Sequence, residues 1–279
     1  MSAVVFVASA ASYFTNDINL VSIVGYDFPD DEIKALEAKG VNMEGLEIVP
    51  DKKSFFWEGK YHENMNQRDT ITTDLNVLAD FDPTLPESYK DSQYIMLGNL
   101  TPEIQMKVIN QLSSDPALVV MDTMNFWMDV AMDALKEVIA KVDVITINDE
   151  EARQLSGEYS LVKAAAKIHE MGPKHIVIKK GEHGALLFSE NKMFYAPALP
   201  LAQVYDPTGA GDTFAGGFIG YLAKTEDTSF ENMKRAVIYG SAMASFCVEE
   251  FSIDRLKKLD GDQIRERIGM FVSLTDFSL

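Results

Sequence analysis

Short apolar runs and longer amphipathic stretches follow one another along most of the chain, a pattern typical of buried strands joined by helices. The runs at 18–24, 94–97, 118–121, 144–147 and 175–179 predict strands. Helices are predicted at 30–39, 102–112, 126–141 and 161–171, and Gly40 closes the first of them. Repeated strand–helix units build parallel sheets, so the pattern predicts an α/β fold with a doubly wound, mostly parallel sheet flanked by helices.

A different pattern separates the first unit from the rest. Alternating polar and apolar residues in KSFFWEGKYH and RDTITTDL predict two antiparallel strands within residues 47–78. We therefore expect a core built from 1–46 and 79–279, with 47–78 inserted as a small β lid over a cleft. An edge hairpin without functional motion would give the same pattern.

The last third of the chain is mainly helical. Strands are predicted at 185–189 and 192–198, and helices at 210–224, at 230–250 and from about 263. The opening stretch AVVFVASAASYF lacks a basic leading segment and is too short to span a bilayer.

Composition narrows the classes of partner. The net charge of −18 disfavours nucleic acids and anionic membranes, because phosphate surfaces require clustered Lys and Arg. A single cysteine, Cys247, cannot form an internal disulfide, which fits a reducing cytoplasm. We expect a cytoplasmic protein with a small-molecule substrate.

Candidate chemistry concentrates in the run DPTGAGDTFAGGF, residues 206–218. Gly209, Ala210 and Gly211 leave backbone N–H groups uncovered at a helix start, where the helix dipole attracts an anion. Asp212 at the same place can accept a proton from a hydroxyl that attacks phosphorus. Gly216 and Gly217 inside the helix cost about 1 kcal/mol each relative to Ala, so we expect another element to pack closely there.

This run resembles the C-terminal signature of the ribokinase-like, phosphofructokinase-B type carbohydrate kinases, with Pro207 in a place where threonine is usual. The resemblance covers nearly the whole chain. It implies an ATP-dependent kinase that transfers the γ-phosphoryl group to a hydroxymethyl group of a small sugar, with Asp212 as the base. A nucleoside such as adenosine, or a catalytically impaired ligand-binding member of the family, are the alternatives.

Other segments match the same family in order and separation. Asn148 and Glu151 resemble its N-x-x-E motif, which implies that they organise Mg²⁺, directly or through water, and the nucleotide phosphates. A capping pair at a helix start would explain the same two residues. The KGEHG turn resembles the loop that borders the nucleotide; its candidate residues are Lys180, Gly181 and Gly184, although a plain turn fits almost as well.

Four further residues are assigned from the resemblance. Thr208 belongs to the nucleotide side of the site, and Asp206 with Thr208 resembles the start of a monovalent-cation site, which leaves potassium open. Asp122 and Asn125, in MDTMNFW, resemble the family's D-x-N segment with two residues instead of one between them, at the carboxyl edge of the sheet, where doubly wound folds bind ligands.

Relatives in this family open with a strand that carries a substrate-binding Asp, followed by Gly-Gly before the first helix. This chain begins at about that helix. We expect the sugar-recognition half of the site to be incomplete without such a strand. A homodimer formed through the lid is the expected assembly.

Overall fold

Residues 3–63, 65 and 68–276 are described in the computed structural model of the protein. Its strands are β1 (Ile18–Gly25), β2 (Val41–Val49), β3 (Phe56–Tyr61), β4 (Arg68–Asp74), β5 (Tyr94–Leu97), β6 (Leu118–Asp122), β7 (Val144–Asn148), β8 (His175–Lys179), β9 (Ala185–Ser189) and β10 (Lys192–Ala196). Its helices are α1 (Ala3–Ala11), α2 (Asp30–Glu37), α3 (Pro102–Ile109), α4 (Asn125–Val130), α5 (Met132–Ile139), α6 (Asp149–Ser156), α7 (Leu161–His169), α8 (Ala210–Thr225), α9 (Phe230–Cys247), α10 (Asp254–Lys257) and α11 (Gly261–Thr275).

The central sheet has six strands in the order β10-β9-β8-β7-β6-β5. Strands β5 to β8 are parallel, whereas β9 and β10 each pair antiparallel with the preceding strand. Ile145 and Ile176 are paired in register and fully buried, because helices cover both faces of the sheet. The predicted doubly wound α/β fold is confirmed.

A second, two-stranded sheet lies beside the first. β1 pairs with β2 in parallel, and β1 and the edge strand β5 both line one large cleft. The side chains of Asn19 and Ser92 are joined by a 3.3 Å hydrogen bond near the starts of these two strands. The predicted strand 18–24 is therefore present, but in a sheet separated from the central one.

The hairpin of β3 and β4 forms the third sheet and lies within the range predicted as a lid. β2 was not predicted; its last residues, 47–49, pair with β1 rather than with the hairpin. Along β3 the half-buried residues alternate with exposed ones, so Trp57, Gly59 and Tyr61 share one face. Trp57 and Tyr61 from that face line the cleft.

The prediction of a single helix at 126–141 was wrong. The helix stops at Val130 and restarts at Met132, because Ala131 has a non-helical backbone with φ −143° and ψ 35°. α4 contacts α6, while α5 contacts α3, so the two halves pack against different neighbours. The apolar periodicity continues through the break, which is why the sequence did not reveal it.

Helix α1 packs along α8, and this contact requires glycines. A methyl group on Gly216 would lie 2.3 Å from the carbonyl oxygen of Val7, and one on Gly220 would lie 2.8 Å from Cα of Ala11. Gly217 faces α9, where a methyl group on it would lie 2.9 Å from Cγ of Met243. The predicted close packing against this helix is confirmed. No helix among the described residues is both long and apolar enough to cross a membrane.

Candidate active site

Helix α8 begins at the floor of the cleft with an open first turn. Its N-cap, Gly209, has φ +78° and provides no capping side chain. A methyl group at this glycine would collide with the ring of Phe6, 2.4 Å away, so no other residue fits here without rearrangement. The first N–H groups of a helix have no acceptor within the helix, so the start of α8 at Gly209 and Gly211 offers a place where an anion can bind. The N–H of Ala210 was predicted to be uncovered as well, but it donates to the carbonyl of Pro207 at 3.1 Å.

Asp212 stands in the first turn of α8 and is half-buried. It lines the same cleft as the three residues before it. The carboxylate therefore borders the same cleft as the start of α8, where the helix dipole favours an anion. The local geometry therefore suits proton abstraction next to a phosphate group.

Asn148 and Glu151 form a reciprocal capping box at the start of α6. The N–H of Glu151 donates to Oδ1 of Asn148, and the N–H of Asn148 donates to Oε2 of Glu151, both at 2.8 Å. Glu151 is only 4% exposed, yet both residues line the cleft. The capping interpretation thus describes their contacts, and the cap also fixes two hard-oxygen side chains at the carboxyl edge of the sheet.

The turn from β8 to β9 also reaches the cleft. The N–H of Lys180 donates to the carbonyl of Gly184 at 2.8 Å, and both Gly181 and Gly184 have positive φ. A methyl group on Gly184 would lie 2.0 Å from the carbonyl oxygen of Ala196, so glycine is required for the turn itself. The side chain of His183 is exposed.

Sequence reasoning missed Lys179, the last residue of β8. Its Nζ donates to Oδ2 of Asp122 at 3.0 Å, and the two side chains are only 16% and 8% exposed. Burial lowers the pKa of Lys179, but attraction by Asp122, Glu151 and Asp212 outweighs burial and holds the pKa above its ordinary value. A charged residue ending an apolar strand was the signal that could have found it.

The loop before α8 separates two of the predicted residues. Thr208 lines the cleft, whereas Asp206 does not. Oδ1 of Asp206 accepts from the N–H of Thr208 at 2.9 Å, and the N–H of Tyr205 donates to the carbonyl of Val248 at 2.7 Å. Asp206 therefore shapes the loop and ties it to the end of α9.

The segment from Asp122 to Asn125 lies at the carboxyl end of β6, as expected for a ligand-binding edge. Asp122 Oδ1 accepts from the N–H of Thr123 at 2.9 Å, and the backbone carbonyl of Asp122 accepts from Gln105 at 3.0 Å. Asn125 binds Gln154 on α6. These bonds hold Asp122 in place, while its second carboxylate oxygen pairs with Lys179.

One cleft of about 2820 Å³ collects nearly all of these residues. It contains the predicted catalytic residues Gly209, Ala210, Gly211 and Asp212, the predicted nucleotide residues Asn148, Lys180, Gly181, Gly184 and Thr208, and the predicted Mg²⁺ residues Asn148 and Glu151. Only Asp206 lies outside it. Within the described ranges, no group of three or more His, Cys, Asp or Glu side chains is arranged to hold a metal by itself.

Comparisons with known proteins agree with this architecture. The model of the pfkB family of carbohydrate kinases matches residues 7–256. The cytidine kinase of Thermococcus kodakarensis is 30% identical over 216 residues, 76% of either chain. The nucleoside kinase of Methanocaldococcus jannaschii has a TM-score of 0.76 at 20% identity, over 96% of this chain and 85% of that one.

A putative ribokinase II from E. coli, in complex with ATP and Mg²⁺, has a TM-score of 0.75 at 22% identity, over 98% of this chain and 88% of that one. Fold and site define an ATP-dependent phosphotransferase with an alcohol acceptor. The chain belongs to the pfkB family of carbohydrate kinases and has its ribokinase-like fold.

Proposed function

We propose that this protein transfers the γ-phosphoryl group of ATP to a hydroxymethyl group of a small sugar, with Asp212 as the base. The observation that carries the proposal is the position of Asp212 in the open first turn of α8, inside the cleft. The acceptor oxygen forms a bond to phosphorus, the bond between phosphorus and the leaving ADP oxygen breaks, and the hydroxyl proton passes to Asp212.

The backbone of the same turn stabilises the charge of the transferring group. N–H groups at Gly209 and Gly211 lie at the positive end of α8 and require no reorganisation during the reaction, whereas the N–H of Ala210 already donates to Pro207. Lys180, Gly181, Gly184 and Thr208 are assigned to the nucleotide because they line the cleft on the side of β8 and the loop before α8.

Mg²⁺ is part of the proposal, and Asn148 and Glu151 are the residues that would hold it, through water. Their side chains supply an amide and a carboxylate oxygen, which suit a hard cation, and the capping box fixes both. When bound, the ion neutralises charge on the phosphates. The residues present therefore fit the cofactor that the related putative ribokinase II binds.

A nucleoside is the second candidate acceptor, and two observations favour it. Trp57 and Tyr61 on one face of the hairpin line the cleft and offer aromatic surfaces on which a base can stack. The cytidine kinase of T. kodakarensis is similar over three quarters of this chain. A free sugar would leave these aromatic surfaces uncovered.

The deciding experiment measures ATP turnover with a panel of free sugars and nucleosides, and identifies the phosphorylated product by mass spectrometry. Phosphorylation of free sugars supports the first proposal, and a preference of 10-fold or more in kcat/KM for nucleosides supports the second. ATP binding without turnover on any acceptor would instead indicate an impaired, ligand-binding member of the family.

Three further proposals concern conditions and assembly. Turnover that is equal in potassium and sodium salts would contradict the monovalent-cation site proposed at Asp206.

Exposed Phe56 and Ile71 on the hairpin support a homodimer formed through the lid. Sedimentation of Phe56→Ser, compared with the parent chain, tests this assembly. ATP use and a buried free Cys247 support a cytoplasmic setting.

A further inference from the structure

The ammonium of Lys179 lies between two parts of the site that come from separate segments of the sequence. One is the carboxylate of Asp122 at the end of β6, 3.0 Å from Nζ. The other is the first turn of α8, where a methyl group on Gly211 would lie 3.3 Å from the same Nζ. Lys179 thus reaches the anion-binding turn from the nucleotide side of the cleft, next to Asp212.

The positive end of α8 repels a cation in this position, so negative charges nearby must stabilise the ammonium of Lys179 there. Asp122, Glu151 and Asp212 all attract it and keep it protonated despite its burial. Three carboxylates against one ammonium leave the region negative, and a polyphosphate could approach only if this charge were balanced. Lys179 supplies the first balancing charge, and Mg²⁺ beside Glu151 would supply the rest.

The two partners of this ion pair differ in freedom. Asp122 is fixed by hydrogen bonds from Thr123 and Gln105. Lys179 has a long side chain whose ammonium can rotate to another acceptor while its backbone stays in β8. Buried ion pairs contribute little net stability, which makes a purely structural explanation of this pair weak.

We propose that Lys179 is a phosphate-positioning residue whose ammonium pairs with Asp122 and turns to the terminal phosphates of ATP when the nucleotide binds. The proposal rests on the proposed kinase function and adds a residue to it. In this ion pair the carboxylate of Asp122 takes the place that the phosphate would have next to the ammonium. The carboxylate and the phosphate therefore compete for one cation. Lys180, the neighbour that the sequence singled out, has no such contact with α8 among those described.

Calorimetric titration with ATP, ADP and AMP tests this, because AMP lacks the terminal phosphates. Lys179→Met should weaken ATP binding by about 10- to 100-fold, the loss of a charged hydrogen bond, and leave AMP binding within 2-fold. Asp122→Asn should tighten ATP binding several-fold, because the competing carboxylate is gone. The double variant should keep the ATP defect of Lys179→Met.

The control is Lys174→Met, which breaks a pair with Asp143 just before the opposite end of β8, at the same 3.0 Å distance. It should not change the affinity for any of the three nucleotides. The inference is overturned if Lys179→Met weakens ATP and AMP alike, or if the double variant recovers both stability and ATP affinity. Those results would make the pair structural.

Failure of the kinase proposal gives a different result. If the parent chain binds ATP but phosphorylates no acceptor, the proposed reaction is wrong, while the ATP-against-AMP comparison still decides the role of Lys179. If the parent chain binds no nucleotide, both the proposed kinase function and the proposed role of Lys179 are wrong.

Discussion

The hydroxyl of Thr208, in the loop before α8, donates to the hydroxyl of Tyr61 on strand β3 at 3.3 Å. This bond joins the hairpin to the loop before α8. Both residues line that cleft, so the contact closes it on the side of the hairpin. Through this hydrogen bond, a change in the position of the hairpin can affect the loop before α8.

Removal of this contact gives the first prediction. Tyr61→Phe keeps the ring and loses one hydrogen bond, worth about 0.5 to 1.5 kcal/mol. We expect the acceptor KM to rise about 2- to 10-fold with kcat nearly unchanged, measured by steady-state kinetics. Tyr26→Phe, at an exposed tyrosine outside the cleft, is the control. An unchanged acceptor KM in Tyr61→Phe would indicate that the hairpin is an edge hairpin without a functional role.

The second prediction concerns the base. Asp212→Asn should lower kcat by roughly 100-fold or more, because the acceptor hydroxyl loses its proton acceptor, while ATP still binds. Asp133→Asn, in the exposed first turn of α5, controls for loss of a carboxylate at a helix start. Turnover at the parental rate in Asp212→Asn would remove the assignment.

Glu151 allows the capping and metal roles to be separated. The capping box of α11 uses Gln263 in the equivalent place, so glutamine supports this motif in the same chain. Glu151→Gln should keep the melting temperature close to that of the parent chain but raise the Mg²⁺ concentration needed for half-maximal activity several-fold. Glu151→Ala should do both, with a stability loss of about 1 kcal/mol.

The measurement is activity against Mg²⁺ concentration, with thermal unfolding in parallel. A Mg²⁺ dependence that is the same in Glu151→Gln as in the parent chain would leave Asn148 and Glu151 as a cap alone.

Lys39 gives a prediction about pH. Its Nζ is buried over the ring of Tyr13, 4.0 Å from the ring centre, and has no hydrogen-bond partner among the described residues. Burial lowers the pKa of Lys39 to about 8. The unfolded chain therefore binds more protons between about pH 8 and 10.4, so stability rises with pH in that window, and the penalty is full below it.

Lys39→Met removes this penalty. We expect its free energy of unfolding to exceed that of the parent chain by on the order of 1 kcal/mol at pH 7, reduced because the side chain is partly exposed. The difference should shrink between pH 8 and 10 in urea titrations. Lys34→Met on the exposed face of α2 is the control. A difference independent of pH would contradict the assignment.

The last prediction concerns the divided sheet. In the described sheets β1 pairs only with β2, and β5 only with β6, although both border the cleft. An added upstream strand carrying an Asp and a Gly-Gly turn should pair with these edges and position the acceptor. We expect a higher melting temperature and a higher kcat/KM than with a Gly/Ser segment of equal length. Equal values would show that the acceptor site differs from the family's.

The sequence by itself determined those features that depend on local spacing. Short apolar runs identified the parallel strands of the central sheet, because a strand buried on both faces is apolar throughout its length. The glycines of the run 206–218 identified the open helix start, since only glycine at position 209 permits φ +78° beside Phe6. Nearly all of the predicted site residues therefore lie together in one cleft.

Tertiary structure alone decided which neighbours these residues meet. Lys179 and Lys180 are equivalent in the sequence, but the end of β8 directs Lys179 to Asp122 and Gly211, which come from distant segments. The break at Ala131 and the position of Asp206 outside the cleft also depend on packing between elements far apart in the chain. Such contacts leave no periodic trace, because they are set by the docking of whole elements rather than by spacing within one.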